Sequence, residues 1–193
     1  SEFASAAMLE FGSLIAEAGI PDGVVNIVTG HGDPCGRVLT SHPLVARISF
    51  TGGPNAARHV IGNSTHNFAE VSLELGGKSP NIILNDADLE AAVTRGVLHM
   101  YNNTGQSCNA PSRMLVPRDR LAEAEQIAAA VSESIVVGDT ASQDTNMGPV
   151  VSKVQWDKIQ GLIQQGIDEG AKLVCGGTGL PDGVETGHYV RPT

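Results

Sequence analysis

The chain has 193 residues, 41% hydrophobic and 17% charged, enough to bury a core and too apolar for an intrinsically disordered chain. Its formal net charge is −9, from 12 basic and 21 acidic residues, and no basic stripe of the kind that binds nucleic acid is present. No apolar run is long enough to cross a bilayer.

In chain order, residues 3–19 predict a helix, with Met8, Leu9, Leu14 and Ile15 on its apolar face and Gly19 as its stop. Pro21-Asp22-Gly23 reads as a turn, residues 24–28 as a short apolar strand and residues 34–41 as a short helix. Residues 46–50 predict a strand ending in Thr51-Gly52-Gly53-Pro54. Pro54 suits the first position of the helix that follows, which runs to about residue 66. Residues 69–74 alternate, with Val71, Leu73 and Leu75 on one side, and predict another strand. Strand, glycine turn and helix repeating at this pace imply an α/β fold with a parallel, doubly wound sheet.

The pattern restarts after Gly76-Gly77. A strand is expected over 81–84, a helix capped by Asp86 or Asp88 and reaching about residue 102, and a strand over 112–117. Leu121, Ala124, Ala128, Val131 and Ile135 form a helical stripe. A polar stretch, 138–149, precedes a second long helix lined by Ile159, Leu162, Ile163 and Ile167. Residues 173–174 predict a brief strand. The domain boundary is expected near 76–78, dividing the chain into 1–76 and 77–193.

Three widely spaced cysteines (Cys35, Cys108, Cys175) argue against a disulfide framework and against a metal site. With no basic-then-apolar leader at the N-terminus, they lead to the expectation of a cytoplasmic protein with one reactive thiol. Cys108 is the candidate, because it follows a helix in a polar, glycine-containing bend, Thr104 to Ala110. A thiolate nucleophile needs such exposure, whereas a core thiol sits in an apolar run, as Cys175 does. Glu74 projects from a strand end beside Leu75-Gly76-Gly77, and reads either as a general base or as a solvent-facing partner of Lys78. The glycine turns at 29–36 and 51–54 each enter a helix. Each is either a diphosphate cradle or a plain strand-to-helix turn, and neither follows G-x-G-x-x-G.

Together these segments resemble the aldehyde dehydrogenase superfamily, over essentially the whole chain. IPDGVVNIVTG (20–30), ISFTG (48–52), VSLELGGKSPNII (71–83), GQSC (105–108) and EGAKLVCGG (169–177) stand in that family's order, with Glu74 and Cys108 34 residues apart. The resemblance implies part of a Rossmann-like cofactor domain (1–76) followed by part of an α/β catalytic domain (77–193). It implies an oxidoreductase that converts an aldehyde to a carboxylic acid with NAD, or NADP. Cys108 would attack the carbonyl to give a thiohemiacetal, loss of hydride to the nicotinamide would leave an acyl-thioester, and Glu74 would activate the water that hydrolyses it. Glu74 also favours hydrolysis over transfer of the acyl group to coenzyme A. The backbone N–H of Cys108 would be one oxyanion donor.

For the cofactor, Ser1-Glu2 resembles the end of a Lys-Pro-Ser-Glu segment, with Glu2 on the adenosine ribose and so a preference for NAD. Gly32, Thr51, Gly52 and Gly53 would line the adenosine and diphosphate path, and Leu75 would lie near the nicotinamide. Ala57 departs from the family pattern, since many members carry a second glycine there. The resemblance further implies a small-molecule aldehyde as substrate and a parent homo-oligomer, dimer or tetramer. It implies a central fragment whose family counterparts extend before Ser1 and after Thr193. The 193 residues in isolation are then expected to be inactive, and a non-catalytic Rossmann-like module is the other reading.

Overall fold

The computed structural model describes residues 2–193. Ser1, the first member of the Ser1-Glu2 pair, lies outside the described residues. The chain separates into two compact units that meet at Gly76 and Gly77.

In the first unit a short turn, Glu2–Ala4, leads into α1 (Ser5–Glu17). The Gly19 N–H donates to the Ala16 carbonyl with Gly19 at φ +76°, so the helix stops where the sequence places its stop. None of the α1 residues is buried. The strand expected over 24–28 does not form. Its valines Val24 and Val28 are 66% and 70% exposed, and no strand among the described residues pairs with it. An apolar run becomes a strand only when a neighbour takes its backbone groups.

A wide helical turn, Gly32–Gly36, continues into α2 (Arg37–Ser41), and β1 (Arg47–Gly52) follows. Pro54 opens α3 (Pro54–Ser64), where its missing N–H costs nothing. β2 (Glu70–Leu75) then pairs parallel with β1, from Arg47 opposite Glu70 to Gly52 opposite Leu75. Ile48, Val60 and Ala69 make the core, with Val45, Phe50 and Val71 packed against it. Arg47, Ser49 and Thr51 on the other face of β1 are exposed. Asn67 ties the α3–β2 connection down, its Nδ2 donating to the Thr40 and His42 carbonyls at 3.2 and 2.9 Å.

In the second unit β3 (Pro80–Ile82) pairs parallel with β4 (Arg113–Leu115). Between them runs α4 (Leu89–Tyr101), capped by Asp88 rather than Asp86: Asp88 Oδ1 accepts from the Ala91 N–H at 3.1 Å. α5 (Leu121–Glu133) packs on α4 through Ala124, and the core is Ile83, Leu89, Val93, Val97, Tyr101, Ala124 and Met147. α6 (Lys153–Asp168) is capped by Ser152, whose Oγ accepts from the Gln155 N–H at 3.3 Å. Each unit thus has one parallel strand pair crossed by a helix, which is α/β architecture. A continuous doubly wound sheet is not formed among the described residues, because the two pairs stand in separate sheets.

The strand expected at 173–174 is absent as well. Here the chain turns through Cys175-Gly176-Gly177 against residues 191–193, with the Gly177 N–H donating to Thr193 Oγ1 at 3.1 Å. Gly176 has φ +74°, and a Cβ on it would collide with the Pro192 carbonyl oxygen. Gly176→Ala is therefore expected to destabilise the intact protein by about 1–3 kcal/mol, combining left-handed strain with a backbone clash. The midpoint of urea unfolding checks this, and an unchanged midpoint would contradict it.

Candidate functional site

Parallel pairing brings together residues that lie far apart in sequence. Thr51 stands opposite Glu74, and Gly52 opposite Leu75, at the carboxyl ends of β1 and β2. In open α/β sheets ligands collect at this end of the strands. Glu74 is exposed, and its carboxylate has neither an ion pair nor a hydrogen bond among the described residues, so it is available to a reacting group. Lys78 Nζ instead donates to the Gly77 carbonyl at 3.1 Å.

Gly53 caps α3, and the Ala57 N–H already returns to the Gly53 carbonyl at 3.1 Å. The N–H groups of Asn55 and Ala56 have no partner among the described residues, and they carry the positive end of the helix. Beside this terminus is a cavity of about 480 Å³. Gly32, Arg37 and Thr40 line one side, and Ala56, His59 and Asn63 line the other. Gly32 is a residue the glycine turn predicts, whereas the α3 wall carries no glycine motif. Its signal was the spacing of Ala56, His59, Val60 and Asn63, which recur at the interval of one helix face. Glu2 is exposed in the turn ahead of α1, its carbonyl accepting from Ser5 Oγ at 3.4 Å, and it is not among the residues lining this cavity.

Cys108 lies in the second unit, in an exposed turn closed by the Ala110 N–H donating to the Ser107 carbonyl at 3.3 Å. Its own N–H has no partner among the described residues, which leaves it free to face an oxyanion. The approach to this turn is unusual. After α4 the backbone passes through three successive left-handed residues, Asn103 (φ 52°), Thr104 (φ 56°) and Gly105 (φ 73°). For non-glycine residues this costs on the order of 1 kcal/mol each, most for the branched Thr104, and persists only where the surroundings enforce it. On the far side the Ser79 N–H donates to the Ala110 carbonyl at 3.2 Å, and Arg113 Nε donates to the Lys78 carbonyl at 2.7 Å. A Cβ on Gly77 would stand 2.7 Å from the Cys108 carbonyl oxygen, so only glycine at position 77 lets the backbone there lie against the thiol turn.

Tyr101 closes α4 behind this turn. Its hydroxyl donates to the Thr193 carbonyl and shares a hydrogen bond with Ser132 Oγ, both at 3.1 Å. Burial pushes its pKa up, the Ser132 hydrogen bond opposes the rise and Cys175 adds to it. Tyr101 therefore stays neutral and structural. Cys175 is half-buried and Cys35 likewise, which leaves Cys108 as the exposed thiol among the described residues. No group of three or more His, Cys, Asp or Glu side chains there could hold a metal ion, and no helix is long and apolar enough to cross a membrane.

Comparison with known proteins agrees over the full length. The aldehyde dehydrogenase family model matches residues 1–193. A 3-succinoylsemialdehyde-pyridine dehydrogenase of a Pseudomonas species is 50% identical over 193 residues, which is 100% of this chain and 40% of that protein. An Acinetobacter baylyi dehydrogenase of (Z)-2-((N-methylformamido)methylene)-5-hydroxybutyrolactone is 46% identical, over 100% of this chain and 39% of its own. Among solved structures, aldehyde dehydrogenase C of Pseudomonas syringae superimposes with a TM-score of 0.93 at 46% identity, covering 96% of this chain and 38% of that one. It was solved as a cysteine-to-alanine variant with NAD+ and octanal. The chain thus spans about 40% of the length of the curated relatives it matches. With parallel strand pairs, ordered motifs and a full-length match in agreement, this chain belongs to the aldehyde dehydrogenase family.

Proposed function

We propose that these residues supply the thiol centre and part of the cofactor site of an NAD-dependent enzyme that oxidises an aldehyde to a carboxylic acid. The observation that carries this reading is the exposed Cys108 thiol on a turn whose own N–H is unpartnered. Cys108 Sγ attacks the aldehyde carbonyl, and its N–H donates to the oxygen that becomes negative in the thiohemiacetal. Loss of hydride from that carbon leaves an acyl-thioester on Cys108. Glu74 then takes a proton from the water that cleaves the thioester, which releases the acid and frees the thiolate.

The first unit fits the cofactor. The free N–H groups of Asn55 and Ala56 suit a diphosphate. A Cβ on Gly32 or Gly53 would meet nothing within 4 Å, so the backbone there is open to close approach. The neighbouring cavity, with Gly32 in its wall, would hold the adenosine, and Thr51, Gly52 and Leu75 at the strand ends would continue the path. NAD+ bound there would supply the hydride acceptor. Glu2 favours NAD over NADP, since a carboxylate that takes the ribose hydroxyls repels a 2′-phosphate. On this reading residues 1–76 belong to the cofactor domain and 77–193 to the catalytic one. The three unpaired thiols fit a reducing cytoplasm, and the family resemblance supports a dimer or tetramer for the whole protein.

A second reading concerns the 193 residues alone. Leu9, Phe11 and Leu14 are each more than half exposed on α1. Apolar surface of that kind normally meets a partner, which favours a chain that is catalytically silent by itself. The test is NADH formation from NAD+ and octanal. The intact protein is expected to produce it and the 193-residue chain is not. A silent intact protein across short and long aldehydes would overturn the first reading, and an active 193-residue chain would overturn the second.

A further inference from the structure

We infer that Gln106, two residues before the thiol, is a positioning residue that locks the Cys108 turn to the strap formed by residues 148–151. This rests on the reading of Cys108 as the nucleophile. Gln106 Nε2 donates to the Asn103 carbonyl at 3.0 Å, and the Gln106 N–H donates to the same oxygen at 3.0 Å. Asn103 Nδ2 donates back to the Gln106 carbonyl at 3.2 Å. These three bonds close the left-handed bend on itself. The fourth reaches across the sequence: the Val151 N–H donates to Gln106 Oε1 at 3.0 Å. Beside it, Thr104 Oγ1 donates to the Gly148 carbonyl at 3.0 Å.

The strap itself is held firmly. The Val150 N–H donates to the His188 carbonyl at 2.9 Å, and Ser152 begins α6 directly after Val151. Three consecutive left-handed residues, two of them non-glycine, relax unless something outside the bend over-determines them. The strap is that outside constraint; Thr104 reaches it through one hydrogen bond, and Gln106 links the two by accepting from the strap and donating to the bend. Relaxation at 103–105 would move the Cys108 sulfur and N–H together. A displacement of about 1 Å in a reacting group can cost on the order of 10²-fold in rate.

The test compares Gln106→Met and Gln106→Glu with the parent in the intact protein, with kcat expressed per titrated Cys108 thiol so that unfolded material does not count. Gln106→Met, close in length but without polar atoms, is expected to lower kcat by about 10- to 10²-fold. It should leave KM for NAD+ within about twofold, because the interaction lost acts on the thiol and not on cofactor binding. Gln106→Glu retains an acceptor for the Val151 N–H and should recover a large part of that loss. A Gln106→Met protein with kcat per thiol within about twofold of the parent, whatever its melting temperature, would overturn the inference. So would a Gln106→Glu protein no better than Gln106→Met, since the bond to Val151 would then not be what holds the turn. Cys108→Ser in the same assay keeps the two claims apart. If that variant still oxidises aldehyde, the assignment of the nucleophile fails, irrespective of Gln106.

Discussion

Cys108→Ala is expected to reduce aldehyde oxidation by the intact protein by at least about 10⁴-fold, since loss of a covalent nucleophile removes the path and not merely a contact. Two other thiols are present, but Cys175 and Cys35 are half-buried, and neither stands on a turn with a strained left-handed approach. NAD+ affinity should be unchanged, because the candidate cofactor groups, from Glu2 and Gly32 to Leu75, all lie within residues 1–76. Steady-state NADH formation together with an NAD+ titration checks both statements. Residual activity within about tenfold of the parent would move the chemistry away from Cys108.

Glu74→Gln gives a different failure. The substitution keeps the shape of the side chain, and Glu74 is exposed with no ion pair in its unit, so stability should change by less than about 0.5 kcal/mol. What is lost is the base. Hydrolysis of the thioester should slow by about 10²- to 10⁴-fold, while thiohemiacetal formation and hydride loss continue. The expected trace is a rapid burst of NADH equivalent to the number of sites, followed by almost no turnover. A uniform slowing of burst and steady state alike would assign Glu74 to an earlier step or to structure.

Much of this was legible in the sequence, and the reasons are local. Gly19, Pro54 and Asp88 mark helix ends through backbone rules that hold without tertiary context. The alternation of Val71, Leu73 and Leu75 gave β2 its period, and the strand-turn-helix order gave the parallel pairing. Residues 24–28 and 173–174 were misread because apolar β-branched runs fit a strand only if a neighbour accepts their hydrogen bonds, and that neighbour is a long-range fact. Ser112, Val116 and Pro117 lie outside β4 for the same reason, its pairing with β3 covering Arg113–Leu115 alone.

Motifs pointed to Glu74 and Cys108, but nothing in their spacing revealed what holds them. The opposition of Thr51 and Glu74 depends on strand register, and the hold of Val151 on Gln106 spans 45 residues. Neither leaves a periodic trace. Gly77 was visible as half of a Gly-Gly pair, yet its reason, the Cys108 carbonyl against its Cα, appears only in three dimensions.

On the proposed reading one thiol, Cys108, carries the acyl group and one carboxylate, Glu74, releases it. The most direct measurement is peptide mass spectrometry of the intact Glu74→Gln protein quenched in acid after incubation with NAD+ and octanal. An adduct equal to the aldehyde less two hydrogens is expected on the peptide that contains Cys108. NADH formation with that adduct on Cys35 or Cys175, or on no cysteine at all, would contradict it.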